Sequence, residues 1–135
     1  QEMKDKLAGR QAMNCYEFGT TVKTFEKYDR DAVPHHPHPI FRKHPETGRE
    51  ALYVNAGFTQ YFENMTREES RPLLNYLVAA GSSSDISMRH RWQRNDVVIW
   101  DNRCVMHFAV HDYGNAPREM RRVTVRGEVP LGSKG

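Results

Sequence analysis

Thr66-Arg67-Glu68-Glu69 opens the longest stretch of this chain whose apolar residues keep helical spacing. A hydroxyl at the N-cap and a carboxylate three residues on satisfy two backbone donors reciprocally, which is a capping box. Leu73, Leu74, Leu77 and Val78 then fall on one face, and Gly81 is suited to the left-handed residue that ends a helix. The spacing predicts a helix over 67–80. An apolar helix face must be buried on something, and both flanks read as short strands. Upstream, Ile40–Arg42 and Ala51–Val54 are strand-like, with a turn at His44-Pro45-Glu46-Thr47-Gly48 and a break at Asn55-Ala56-Gly57. Downstream, after a polar loop at 82–85, Ser87–Trp92 alternates, with Met88, His90 and Trp92 on one face. A turn at Asn95-Asp96, a strand at 97–100, a bend at Asp101-Asn102 and strands at 104–108 and 120–126 follow. One helix among many short strands predicts a mainly β fold with a helical insert, a sandwich or a barrel.

The amino-terminal third is less patterned. Met3, Leu7 and Ala8 suit a short helix at about 2–12, Tyr16, Phe18 and Phe25 carry no assignable period, and VPHHPHP at 33–39 reads as an extended loop because its prolines fix φ and remove donors. The 135 residues allow one domain, and 38% hydrophobic with 27% charged residues suits a soluble globular chain rather than a disordered one. No apolar run approaches the ~18 residues of a membrane span, and QEMKDKLAGR lacks the apolar region of a signal peptide. Two cysteines, Cys15 and Cys104, predict free thiols in a reducing, cytoplasmic setting. Twenty basic against 17 acidic residues leave a net charge of +3, too dispersed for nucleic acid. Fourteen of the basic residues are arginine, the residue that grips carboxylates and phosphates in fixed geometry, so a small anionic ligand is the expected partner.

Unusual residues concentrate in WDNRCVMHFAVHDYGNAPREMRRVTV, residues 100–125. His107 sits in a strand-like run with Cys104 and Met106; a single histidine there is more often packed than metal-bound. His111 could join it on a helix, as in HExxH, but Gly114 and Pro117 oppose one. On a strand, Arg118, Met120, Arg122 and Thr124 share a face. Two arginines there form either a positive pocket wall able to take a carboxylate bidentately or a surface cluster paired with Asp112 and Glu119. His35, His36 and His38 have the count of a metal tract but no matching acid, and read as loop, with zinc binding as a minor alternative. His44 reads as a turn residue, His90 as a half-buried strand residue, and Trp92 and Trp100 as core.

HPIFRKHPETGREALYVNAGFT, the capped helix, RHRWQRNDVVIWDNRCVMHFAVHDY and REMRRVTVRGEVP together resemble the carboxy-terminal half of the taurine dioxygenase (TauD/TfdA) family over about residues 38–130, leaving residues 1–37 poorly matched. The linked WDNR, H, DY, R and R carry the likeness. The resemblance implies a double-stranded β-helix (a cupin-like jelly-roll), of which a single partial domain over 1–135 is the carboxy-terminal part. It implies an Fe(II)- and 2-oxoglutarate-dependent dioxygenase that hydroxylates a small anionic substrate, taurine-like or a related organic acid, using O2 and releasing succinate and CO2. By the same resemblance His107 is the distal iron ligand and Arg118 pairs with the 2-oxoglutarate carboxylate. Arg122 faces the substrate anion, Phe58 packs against the substrate and Trp100 supports the site.

The family's metal site joins two histidines and a carboxylate, and its HxD motif does not occur in this chain. The expectation is therefore a piece of a longer enzyme, inactive alone, with a truncated, catalytically inactive binding module as the alternative. A partial jelly-roll exposes strand edges and an apolar face, which implies self-association or association with the remaining part of the fold. No nucleic acid and no membrane is expected as a partner.

Overall fold

The computed structural model describes residues 2–15 and 35–132. Residues 33 and 34 of the proline-rich stretch, and Tyr16, Phe18 and Phe25, lie outside the described residues. The chain begins with α1 (Glu2–Leu7), which buries Leu7. The helix expected at 2–12 is half that length, because Gly9 adopts φ +80° and turns the chain into β1 (Gln11–Asn14). β1 is the centre of a three-stranded antiparallel sheet in the order β2-β1-β5. Its neighbours are β2 (His36–Pro39) and β5 (Thr59–Phe62). The HPHP stretch is thus a strand and not a loop. It pairs Ala12 with His38 and Asn14 with His36, and its prolines are tolerated because β2 is an edge.

β3 (Phe41–Lys43) and β4 (Glu50–Leu52) form the expected hairpin. The turn between them closes through Gly48 N–H to the His44 carbonyl at 2.9 Å and His44 N–H to the Arg49 carbonyl at 2.8 Å. Gly48 has φ +67°, where a Cβ would be strained. The break at Asn55 is an Asx turn: its Oδ1 accepts from the N–H of Gly57 and of Phe58, each at 2.9 Å.

α2 (Arg67–Gly81) is the capped helix. Thr66 Oγ1 accepts from Glu69 N–H at 3.2 Å, and Glu69 Oε2 accepts from Thr66 N–H at 2.8 Å. The helix extends one residue beyond the expected end. Gly81 is its last residue and the C-cap is Ser82, so Gly81 serves packing: a Cβ there would meet Met106 Cε at 3.2 Å and Leu52 Cδ2 at 3.3 Å. Buried Ser70 ties the helix to β5, its Oγ accepting from Phe62 N–H at 2.9 Å. The core is Leu7, Ala12, Ile40, Val54, Phe62 and Leu77, flanked by Phe41, Leu52, Met65, Leu73 and Leu74. A 3-10 turn at Ser84–Ile86 replaces the expected polar loop.

The strands expected at 87–92, 97–100, 104–108 and 120–126 are not present. Beyond the 3-10 turn, the described residues make one β contact, a bridge between Gly132 and Arg42. The turn at 93–96 and the bend at 101–104 are where the sequence places them, through Asp96 N–H to the Gln93 carbonyl at 3.2 Å and Cys104 N–H to the Asp101 carbonyl at 3.2 Å. Alternation names the face a strand would bury, but a ladder needs a neighbour for its backbone groups. These segments have none among the described residues, and Ile99 and Val123 are 91% and 93% exposed. Trp92 and His90 are accordingly exposed rather than in a core, with their rings edge to face at 4.8 Å. Cys15 is buried and Cys104 exposed, both free as expected.

Candidate functional site

His107 is exposed and lies against Trp100, with ring centroids 4.6 Å apart and planes tilted by 48°. Trp100 is half-buried rather than core, and its Nε1–H donates to Asn102 Oδ1 at 2.9 Å. Arg118 is exposed over the ring of Tyr113 at 5.5 Å, and Arg122 is exposed. Because 120–126 is not a strand, the shared face expected for Arg118 and Arg122 does not form. Asp112 pairs with Arg89, and Glu119 with Arg121 at 3.3 Å. Phe58 is half-buried where the Asx turn enters β5, and its carbonyl accepts from Cys15 N–H at 2.8 Å. The structure therefore brings Trp100 and His107 together.

The three upstream histidines separate. His35 Nε2 meets Arg67 Nη2 at 3.3 Å, and His38 Nδ1 meets Asn14 Nδ2 at 3.0 Å. Burial, then the neighbouring His36 and Arg42, hold the His38 imidazole below the usual histidine range. They do not form a metal-holding group.

The best-connected ionic cluster involves residues that sequence reasoning left in a turn and a bend. His44 Nε2 meets Asp101 Oδ2 at 3.2 Å. Arg103 donates Nε to Asp101 Oδ1 at 2.9 Å and Nη2 to Oδ2 at 2.7 Å, and its Nη1 reaches Glu46 Oε1 at 3.0 Å. Hydrogen bonds from the Arg103 side chain and backbone, with His44 adding to them, hold the Asp101 carboxyl far below the carboxylate range. His44 and Asp101 stand 57 positions apart, and no periodic signal joins them. The one available sign was that HPETG and WDNR are both rich in side chains able to pair. His44-Pro45-Glu46 has the HxE spacing of a metal motif, yet His44 turns to Asp101 and Glu46, largely exposed, to Arg103. Next to this cluster, Arg42, His44, Glu128 and Leu131 line a cleft of about 290 Å³.

His107 offers an imidazole nitrogen to a metal. Among the described residues it belongs to no set of three histidine, cysteine or carboxylate side chains close enough to share an ion; the set that exists is His44, Asp101 and Cys104, whose ligand atoms lie within 4.8 Å of one another. The described residues thus do not complete a 2-His-1-carboxylate site. No helix among the described residues is long and apolar enough to cross a membrane.

Residues 1–124 match the family described as taurine catabolism dioxygenase TauD, TfdA family. The chain is 41% identical over 98 residues to an alpha-ketoglutarate-dependent sulfate ester dioxygenase of Pseudomonas putida, covering 73% of this chain and 32% of that protein. It is 40% identical over 98 residues to an alkylsulfatase of Acinetobacter baylyi, covering 73% and 31%. A crystal structure of a taurine dioxygenase from Burkholderia xenovorans superposes with a TM-score of 0.62 at 26% identity, covering 76% of this chain and 32% of that one. The chain spans about a third of the length of the relatives it matches.

Proposed function

The chain belongs to the TauD/TfdA family, and from that premise we propose that it is part of an Fe(II)- and 2-oxoglutarate-dependent dioxygenase with a double-stranded β-helix fold. The reaction takes 2-oxoglutarate, O2 and a small anionic substrate to succinate, CO2 and the hydroxylated substrate. The observation that carries this reading is the 41% identity to a sulfate ester dioxygenase over 98 residues. The relatives named for sulfate esters and sulfonates favour a substrate bearing a sulfur oxyanion.

In this reading His107 gives one imidazole nitrogen to the metal, and Trp100 fixes the ring's orientation by packing on it. Arg118 holds the distal carboxylate of 2-oxoglutarate, Arg122 the substrate's anionic end, and Phe58 the substrate's apolar part. Guanidinium groups suit both anions because they offer paired donors and keep their charge. The other metal donors are not among the described residues, and the family reading needs them from elsewhere in the protein.

The test is an anaerobic titration of the purified protein with Fe(II) and 2-oxoglutarate. A visible charge-transfer band that requires both, and is lost in His107→Ala, is the expected result. Arg118→Gln should weaken 2-oxoglutarate binding roughly 10- to 100-fold, the range for losing hydrogen bonds to a charged group. Fold retained with no band would leave the non-catalytic binding module as the reading.

A further inference from the structure

The geometry points to His44 as a positioning residue: with Glu46 it clamps the Asp101–Arg103 bend, and the clamped bend holds Trp100 against the imidazole of His107. Its meaning for catalysis rests on the proposed role of His107, but the clamp itself is a property of this chain without metal.

The clamp is built from the turn between β3 and β4. His44 Nδ1 accepts from the N–H of Glu46 and of Thr47, each at 3.3 Å. A nitrogen that accepts from two amide donors carries no proton, so the proton of the neutral ring sits on Nε2 and is donated to Asp101 Oδ2 at 3.2 Å. The backbone of the turn thereby sets the tautomer that reaches across the sequence. The His44 side chain is only 12% exposed, so little water competes for that bond.

Both carboxylate oxygens of Asp101 are hydrogen-bonded. Its Oδ1 takes the Arg103 N–H at 2.8 Å and Nε at 2.9 Å, and its Oδ2 takes Arg103 Nη2 as well as His44. Arg103 then returns to the same turn through Glu46 at 3.0 Å. Two separate bridges between one turn and one bend remove rotation as well as separation, which a single ion pair does not. The Asp101 carbonyl accepts from Cys104 and Val105 N–H at 3.2 and 3.0 Å, so the bend is closed two residues before His107. Trp100 enters it immediately upstream, its indole fixed by Asn102.

The same atoms have the spacing of a metal group when Cys104 is included. The wiring opposes that use. Metal at Nε2 needs the proton moved to Nδ1, where it would meet two amide N–H groups. The carboxylate is also already engaged by a guanidinium, whose charge repels a cation.

The experiment is proton NMR of the imidazole C–H groups in the metal-free full chain at pH 7.5, with His107 assigned from His107→Gln. The parent should show His107 resonances displaced by the ring current of Trp100, a displacement absent in Trp100→Leu. His44→Gln places an N–H near the imidazole Nε2–H and should keep the displacement, while His44→Phe should lose it. If His44→Phe fails to fold, Glu46→Gln decides, since Glu46 is mostly exposed and breaks one bridge alone; its displacement should be reduced. An unchanged displacement in His44→Phe or in Glu46→Gln overturns the clamp, as does a stoichiometric zinc site lost in Cys104→Ser. A working clamp without the Fe(II) and 2-oxoglutarate band would refute the functional assignment and leave this one standing.

Discussion

The Arg42 guanidinium, 4% exposed on β3, donates Nη2 to Glu128 at 2.5 Å across 86 residues of sequence. Its Nη1 donates to Tyr53 Oη at 3.2 Å, and the group lies over the Tyr53 ring at 5.0 Å. This pair and the bond from Lys43 N–H to the Leu131 carbonyl at 2.9 Å draw residues 128–132 onto the β3–β4 hairpin. A buried cation that loses its counter-charge is costly. Glu128→Gln should therefore lower the urea midpoint at pH 7. The Glu128 carboxyl is held below the usual glutamate value by a bond to its own backbone N–H and then by Arg42. A carboxyl whose folded pKa is depressed stabilises the fold above its unfolded value and loses that contribution as pH falls through the folded one. The gap between parent and variant should close on acidification below about pH 4.5, the ordinary value; equal midpoints at pH 7 would show that the pair holds nothing.

Thr66→Ala removes one side of the α2 capping box. The expected loss is about 1 kcal/mol in urea unfolding at pH 7. The Thr66 N–H and hydroxyl bonds hold Glu69 below the usual glutamate range, so its contribution has the same sign as that of Glu128 and fades in acid. The difference between Thr66→Ala and the parent should shrink below about pH 4.5. A difference constant from pH 7 to pH 3 would mean that the bond from the Thr66 hydroxyl to the Glu69 carboxylate contributes nothing to the cap.

What the sequence made legible was local. The capping box, the apolar stripe and the Gly48 turn each fix structure within a few residues, and all three stand where expected. β1 and β2 were missed because QAMN and HPHP show no alternation of apolar residues; the pairing of Ala12 with His38 makes them strands, and pairing is a long-range fact. The reverse error occurred after residue 86. VVIW and RRVTVR have strand composition, but nothing among the described residues hydrogen-bonds beside them. The site divides in the same way. Trp100 and His107 are seven residues apart and meet, whereas His44, Asp101 and Arg103 meet through a fold that no spacing foretells.

His38 lies on β2 with its Nδ1 toward Asn14. Burial first, then His36 and Arg42, disfavour its charged form. Its NMR titration midpoint should fall below the ordinary 6.5, and His36→Gln should move it part of the way back. With the folded pKa depressed, the unfolded chain takes up the proton first as pH falls. This group's contribution is therefore complete above pH 6.5 and declines below it, toward the folded midpoint. A midpoint at or above 6.5 would remove burial as the cause.

Gly81 ends α2 where two side chains close over it. A methyl there meets Met106 Cε at 3.2 Å and Leu52 Cδ2 at 3.3 Å, both the far ends of flexible chains, and Met106 is 41% exposed and free to swing outward. Against that stands the better helix propensity of alanine, about 1 kcal/mol in a helix interior and less at its last residue. The two effects nearly cancel, so Gly81→Ala should change stability by under about 1 kcal/mol. Gly81→Leu cannot be absorbed by moving one terminal methyl, and should cost about 1–3 kcal/mol by overpacking. Urea unfolding of both variants separates the cases. A Gly81→Ala loss as large as the leucine one would mean that Met106 is held rigidly, and that residues 104–107 are anchored at the end of α2 as firmly as at the His44 turn.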